Sequence, residues 1–276
     1  MSSPSTTSAG DTVSLDDFTL RGALGLGGTS SVLLVQRKGT ARYFAMKVVA
    51  KAGLNRGDVD RVVRENKIMQ MLNHPFLVSL HAAFQDNANF FLVTRYCGGG
   101  DLAMLLAEHG ELEEVSARMV LGGVVLALRH LHEQHHVVYR DLKPENILID
   151  HRDALPVLAD FGTAKTLITA PREQRGSSPS THTRIGTPIY MAPEQYRIGA
   201  TGYGFAVDWF AAGVLLYELL VGDVPWDQGG QRIRSECSQE AAAAEVCGAA
   251  ARGGSNVAAD SDGDSDGGDG DADGGA

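Results

Sequence analysis

Cysteine is scarce. The 276-residue sequence has three, Cys97, Cys237 and Cys247, an odd number with no Cys-x-x-Cys spacing. That usage gives no disulfide framework and suits a reducing compartment. The nine histidines, including the adjacent His135 and His136, show no metal-ligand spacing with cysteine partners. Long apolar runs are missing as well. The stretch 120–131 is interrupted by Gly122, Gly123 and Arg129, so no membrane span is expected. The first residues, MSSPSTTSAGDTVS, lack the apolar core of a secretory signal. Positive charge is in short supply: 24 Lys and Arg stand against 34 Asp and Glu, a formal net charge of −10, which does not favour a nucleic-acid partner. Together these absences predict a soluble cytoplasmic protein, with the nucleus as the alternative compartment.

Hydrophobic residues make up 43% of the chain, enough to core one domain of this length or two small ones. The acidic excess is uneven. Residues 253–276 contain seven Asp and no Lys or Arg, and 22 of those 24 residues are Gly, Ala, Ser or Asp. Such a stretch cannot bury enough apolar surface to offset its ordering entropy. The Ser/Thr-rich residues 1–14 read the same way. In the tail, Asp262-Gly263-Asp264-Ser265-Asp266-Gly267 begins like a calcium loop. Its twelfth position is Asp273 rather than Glu, however, and no amphipathic helices flank it, so a solvated acidic tail is expected.

Residues 15–94 predict strands at 18–24, 31–37, 43–50, 77–85 and 89–94. Among them lies a helix at 57–72 whose apolar side is Val59, Val62, Val63, Ile68, Met69 and Leu72. Residues 95–226 predict a mainly helical unit. It has a long helix at 114–132, short strands and a loop at 137–149 and 157–159, and a helix at 208–221 apolar enough to be buried nearly all round. The chain thus divides into 1–14, 15–94, 95–226 and a low-complexity tail, 227–276.

Several segments carry chemistry. Leu24-Gly25-Leu26-Gly27-Gly28-Thr29-Ser30-Ser31-Val32 lies between two predicted strands. Glycines let backbone N–H groups approach phosphates unobstructed; a plain hairpin turn is the alternative. Phe44-Ala45-Met46-Lys47 puts a lysine at a strand end, 15 residues after Val32, and Glu65 follows 18 residues later on the predicted helix. The lysine could neutralise phosphate charge and the glutamate could orient it, although an isolated Lys–Glu pair is more often a solvated surface pair. Next come Tyr139-Arg140-Asp141-Leu142-Lys143-Pro144-Glu145-Asn146, the apolar Ile147-Leu148-Ile149, Asp160-Phe161-Gly162 and Ala192-Pro193-Glu194.

In this order and spacing the segments resemble the signature set of eukaryotic protein kinases over residues 18–226. The resemblance implies an α+β, bilobal fold: a small antiparallel-sheet lobe with one helix, and a mainly helical, incomplete large lobe. It implies ATP and Mg2+ as cofactors and protein substrates as partners. Asp141 would receive or orient the substrate hydroxyl proton, a task suited to a carboxylate because the transition state is loose. Lys143 would contact the γ-phosphate, and Lys47, held by Glu65, the α/β-phosphates. Asn146 and Asp160 would hold Mg2+ through hard oxygen ligands. The segment from Leu24 to Val32 would cover the nucleotide. Val32, Ala45 and Leu148 would sandwich the adenine, Thr94 would be the gatekeeper, and the Arg95-Tyr96-Cys97 backbone the hinge. Ser30 stands where the usual pattern has its third glycine. Met69, Leu80, Tyr139 and Phe161 match an apolar spine, and Asp208 matches the carboxylate that anchors the catalytic loop; a packed core would look much the same.

Tyr139 before Arg140-Asp141, the run Asn73-His74-Pro75-Phe76-Leu77, Gly98-Gly99-Gly100-Asp101-Leu102 and Gly186-Thr187-Pro188-Ile189-Tyr190-Met191 are similar to the AGC group, the cyclic-nucleotide-dependent and protein kinase C-like kinases. Lys143 and Gly186-Thr187 imply Ser/Thr substrates. Asp101, Glu145 and Glu218 match places that bind arginines N-terminal to the target, implying Arg at −3 and −2; solvated or capping carboxylates, and ribose binding for Asp101, are the alternatives. Thr183 matches an activating phosphothreonine made by an upstream kinase, with Arg140, Lys165 and Arg61 as cationic partners. Residues 172–181 look inserted. The resemblance ends near Pro225-Trp226. The family pattern continues with three more helices and an arginine partner for Glu194, whereas Arg232, Arg234 and Arg252 lie in unmatched contexts. A truncated gene product is the favoured expectation, ahead of a partner-stabilised kinase or an inactive, pseudokinase-like nucleotide-binding or scaffold module.

Overall fold

The computed structural model describes residues 13–26, 30–167, 180–196 and 202–226. Five strands form one antiparallel sheet: β1 (Phe18–Leu26), β2 (Ser30–Arg37), β3 (Tyr43–Ala50), β4 (Leu80–Gln85) and β5 (Asn89–Arg95), in the order β1-β2-β3-β5-β4. Phe18, Val35, Phe44, Met46, Phe91 and Val93 form the core on this sheet, as expected where apolar side chains alternate onto one face. Between β3 and β4 runs α1 (Arg56–Met71). It starts at a reciprocal cap: Asp58 N donates to Asn55 Oδ1 (3.0 Å) and Asn55 N to Asp58 Oδ2 (3.2 Å), satisfying two otherwise orphaned donors.

Two expectations for this region change. Val63 is exposed, whereas Glu65, Ile68 and Met69 form the buried stripe of α1; at 3.6 residues per turn Val63 falls off that stripe. Strand β4 starts at Leu80 rather than 77, because the preceding residues pair elsewhere. Val78 N donates to Leu158 O and Leu158 N to Phe76 O, both at 2.9 Å. The segment 74–78 thereby leaves the sheet and joins the second half of the chain. There it meets Gly123, where a Cβ would come within 2.5 Å of Pro156 Cγ and 3.0 Å of Phe76 Cδ1. The missing side chain makes a notch that seats Phe76.

The second half is mainly helical: α2 (Leu102–His109), α3 (Glu114–His135), the short α4 (Pro193–Tyr196) and α5 (Ala206–Val221). Short strands β6 (Val137–Val138) and β9 (Lys165–Thr166) pair, as do β7 (Ile147–Ile149) and β8 (Pro156–Leu158). Ala117, Val124, Ala127, Leu128 and Leu131 of α3 share one core with Ala211, Ala212, Leu215 and Leu219 of α5. Helix α5 is not buried all round. Trp209, Tyr217, Leu220 and Val221 are 39–49% exposed, because only one stripe of the helix faces that core among the described residues. Trp226 stacks on Phe210 at 5.9 Å and donates to Ile189 O at 3.0 Å. No described helix is long and apolar enough to cross a membrane. The acidic calcium-loop-like run, Cys237, Cys247, Arg232, Arg234 and Arg252 lie outside the described residues.

Candidate active site

The sheet and α1 converge on Lys47. Its position in β3, opposite Val32 of β2 and Leu92 of β5, projects the ammonium toward α1. Lys47 Nζ lies 2.7 Å from Glu65 Oε1 and 3.1 Å from Asp160 Oδ1. Burial works against the Lys47 charge, but the two carboxylates outweigh it and hold the ammonium's pKa above its usual value. Asp160 is the mirror case. Burial opposes its charge, yet Lys47 and the Gly162 N–H keep its carboxyl below the usual range. Burial, with Asp160 adding to it, pushes Glu65 upward. The three groups form one mutually dependent cluster.

A second cluster is hung from α5. Buried Asp208 accepts Arg140 N on Oδ1 (2.7 Å), and on Oδ2 it accepts Tyr139 N (2.8 Å) and His132 Nε2 (2.7 Å). These bonds hold Arg140 at φ 75°, a region costly for a residue with a Cβ. The guanidinium of Arg140 donates through Nε to Thr163 O (2.8 Å). Thr163 Oγ1 returns a bond to Tyr139 O (3.1 Å). The loop so fixed presents Asp141, Lys143 and Asn146. Asn146 Nδ2 donates to Asp141 O (2.7 Å) and Oδ2 (3.1 Å), and Lys143 Nζ lies 3.3 Å from Asp141 Oδ2.

Thr187 completes this cluster, a contact the sequence reading missed. Its N–H and hydroxyl both donate to Asp141 Oδ1 (2.9 and 2.7 Å), and Lys143 Nζ donates to its Oγ1 (2.8 Å). Gly186 before it, at φ 122°, leaves no room for a Cβ, which would lie 2.5 Å from Arg140 O. Tyr139 and Phe161 pack edge-to-face at 5.7 Å and share the core with Met69, against which Leu80 packs.

Lys47, Glu65, Asp141, Asp160, Thr187 and Ser30 line one cavity of about 580 Å³, which continues past Leu54, Asp58, Arg61 and Val62. Leu24, Val32, Ala45, Thr94 and Leu148 do not line it. Leu24 is 45% exposed, and Ser31, Val32, Ala45, Thr94 and Leu148 are half-buried. Ala45 and Thr94 face each other across β3 and β5, and Thr94 Oγ1 donates to Ala45 O (3.4 Å). Gly25 lies in β1 with Leu26, whereas Gly27, Gly28 and Thr29 fall outside the described residues. Cys97 is buried, which pushes its thiol pKa up. Asp101 caps α2, accepting Met104 N at 2.9 Å, and pairs by backbone with Leu148.

The other sequence candidates separate into groups. Glu218 accepts the Tyr190 hydroxyl (2.7 Å). Burial raises its pKa, and the charges of Glu145 and Asp223 add to the rise. Thr183 is exposed and its carbonyl accepts the Tyr203 hydroxyl. Lys165 donates instead to buried Thr181 (2.9 Å). Burial, Arg140 and Arg64 all lower the Lys165 pKa. Arg61 pairs with Asp58 at 3.6 Å.

The sequence matches the protein kinase domain family over residues 18–258, which carries the likeness past Trp226. It is 40% identical over 212 residues to Protein kinase 2 of Dictyostelium discoideum, covering 76% of this chain and 42% of that protein. Over 219 residues it is 41% identical to Atypical protein kinase C of Drosophila melanogaster, covering 79% and 34%. Ribosomal protein S6 kinase alpha-4 of Homo sapiens is 39% identical over 226 residues, covering 80% and 28%. The chain thus spans less than half the length of these relatives. With ordered motifs, a five-stranded sheet over a helical half and the Lys47–Glu65–Asp160 and Asp141–Asn146 clusters between them, the chain belongs to the protein kinase domain family, with AGC-like Ser/Thr kinases among its relatives.

Proposed function

We propose that this chain is an ATP-dependent protein Ser/Thr kinase that transfers the γ-phosphoryl group of Mg-ATP to Ser and Thr hydroxyls. The observation that carries this reading is the convergence of Lys47, Glu65, Asp141 and Asp160 on one cavity, with Lys143 and Asn146 bound to Asp141 from the same loop. The donor set fits Mg2+. Asn146 uses its Nδ2 on Asp141, so its side-chain carbonyl oxygen could join the Asp160 carboxylate as a hard ligand. Bound there, Mg2+ would neutralise charge on the phosphates.

The protein's own residues do the positioning. Lys47, oriented by Glu65, holds the α/β-phosphates. Asp141 accepts and aligns the substrate hydroxyl, with its rotamer fixed by Thr187 and Asn146. Lys143 sits beside that carboxylate and meets the γ-phosphoryl. In a loose transition state such alignment and charge placement supply most of the catalysis. Val32, Ala45 and Leu148 enclose the adenine beside Thr94 and the Arg95–Cys97 backbone. For the substrate, the carboxylates of exposed Glu145 and half-buried Glu218 would receive an arginine N-terminal to the target. Phosphorylation of exposed Thr183 by an upstream kinase raises activity. The test is phosphate transfer from Mg-ATP to an Arg-rich Ser peptide by purified protein, with Asp141→Asn as control. Transfer well above the control supports the reading; transfer equal to it makes the chain a non-transferring nucleotide-binding module.

A further inference from the structure

The strand β5 runs straight into the hinge, and its last residue, Arg95, bears a long cation at the start of the segment assigned to adenine. Its guanidinium turns back into the protein, where Nη2 donates to Pro75 O (3.5 Å). Arg95 Nε is buried with no hydrogen-bond partner among the described residues and lies 3.6 Å from Asp150 Oδ2. Asp150 follows β7, the strand that carries Leu148, and is fully buried. On the other side Asp150 accepts Arg152 N (3.0 Å), Nε (3.1 Å) and Nη2 (2.7 Å). One buried carboxylate therefore lies between two guanidinium groups, one from the hinge and one from the turn beyond β7.

The same turn grips the hinge backbone at three further points. Gly98 N donates to His151 Nδ1 (3.2 Å). Gly99 N donates to Ile149 O, and Ile149 N to Gly100 O, both at 2.9 Å. The approach is close enough that a Cβ on Gly99 would stand 2.7 Å from Ile149 O. A buried carboxylate is costly unless its partners are held, so Asp150, the residue that follows β7, ties the Arg95 guanidinium to the end of that strand. That tie sets where the Arg95–Cys97 backbone stands beside the face of Leu148 on which the adenine is assigned to lie.

We infer that Asp150 is a positioning residue for the purine: through Arg95 it sets the hinge against β7, and it selects for the adenine end of the nucleotide without touching it. This inference rests on the nucleotide-binding reading above. Hydrogen bonds from Arg152 hold the Asp150 carboxyl far below the usual range, consistent with a permanently charged clamp.

The test separates the two ends of the nucleotide. Direct binding of adenosine and of Mg-tripolyphosphate is measured for wild type, Asp150→Asn and Arg95→Gln, together with KM for ATP and kcat. Asp150→Asn is expected to weaken adenosine binding by about tenfold, the scale of a hydrogen bond to a charged group. Tripolyphosphate binding and kcat should stay near wild type, so that the change appears in KM. Arg95→Gln, a change in the hinge itself, should also weaken adenosine binding more than tripolyphosphate binding; it is read by binding alone and serves if Asp150→Asn does not fold. Unchanged adenosine binding in the variants overturns the inference, and so does an equal loss for both probes. If wild type binds adenosine, Asp150→Asn loses it selectively and neither transfers phosphate, the kinase reading fails while the hinge inference stands. If wild type binds no adenosine, both fail.

Discussion

Replacing Asp208 by alanine removes the acceptor for three donors at once: Tyr139 N, Arg140 N and His132 Nε2. Asp208 is 1% exposed, so water cannot replace it without opening the loop. Each orphaned buried donor costs about 1–3 kcal/mol. A loss of roughly 3–5 kcal/mol is expected, the range found on breaking a buried charged contact. For a domain of this size that corresponds to a fall in Tm on the order of 10 °C. Asp208→Asn is expected to cost about half as much, because an amide oxygen in the Oδ2 position still accepts two of the three donors. Urea unfolding at unchanged m-value measures the difference. Arg140 would also be released from its positive φ, which moves Asp141 beside it. Phosphate transfer should therefore fall further than the folded fraction does. Wild-type stability in Asp208→Ala to within about 1 kcal/mol would refute the reasoning.

Lys47→Met is expected to lower phosphate transfer by about 10²–10³-fold, the scale for removing one oriented charge from a transition state, measured at saturating ATP. Thr183→Ala should reduce the activity of protein treated with an upstream kinase; equal activity with and without the hydroxyl counts against a role for its phosphorylation. Tyr203→Phe removes the hydroxyl that bonds Thr183 O and receives Arg140 Nη1, so protease cleavage at Arg184 should become faster. A last prediction concerns pH. His74 stacks on His130 at 4.7 Å and His135 Nε2 lies 3.2 Å from His130 Nε2; burial first, then neighbouring imidazoles, lower the pKa of His74 and His135. The unfolded chain then binds more protons, so stability is lost as pH falls below the unfolded value near 6.5. His130→Gln should flatten that slope in unfolding titrations, and an unchanged slope would remove the cluster as its cause.

Most strands and helices were legible because their apolar residues keep strict periods. Strand β3 falls where the alternation of Phe44, Met46 and Val48 places it, and α3 where its apolar stripe runs. The errors arise where tertiary partners override pattern. Leu77 and Val78 read as strand, yet they pair with β8. The helix at α5 is apolar on every side, so its sequence could not reveal that Trp209 and Tyr217 stay exposed. In the site, Lys47, Glu65, Asp141 and Asp160 were found from motif spacing, which fixes chain order. Thr187 and Asp150 act through distances between segments 46 and 55 residues apart, and nothing local in sequence marks such pairs.

Phe76, seated at Gly123, anchors the chain just beyond the end of α1 at Met71, so distances along the helix can be reckoned as lever arms from that end. Glu65 stands six residues from that end, about 9 Å at 1.5 Å per residue, and Arg56 about 22 Å. A swing of about 20° would carry Glu65 through roughly 3 Å, enough to part it from Lys47, now 2.7 Å away. The same swing would carry Arg56 through about 8 Å. Because Lys47 stands in β3 and Glu65 in α1, the length of the ion pair follows the angle of that helix against the sheet. A weak push on the far turn of α1 has more than twice the mechanical advantage of one applied at the pair itself.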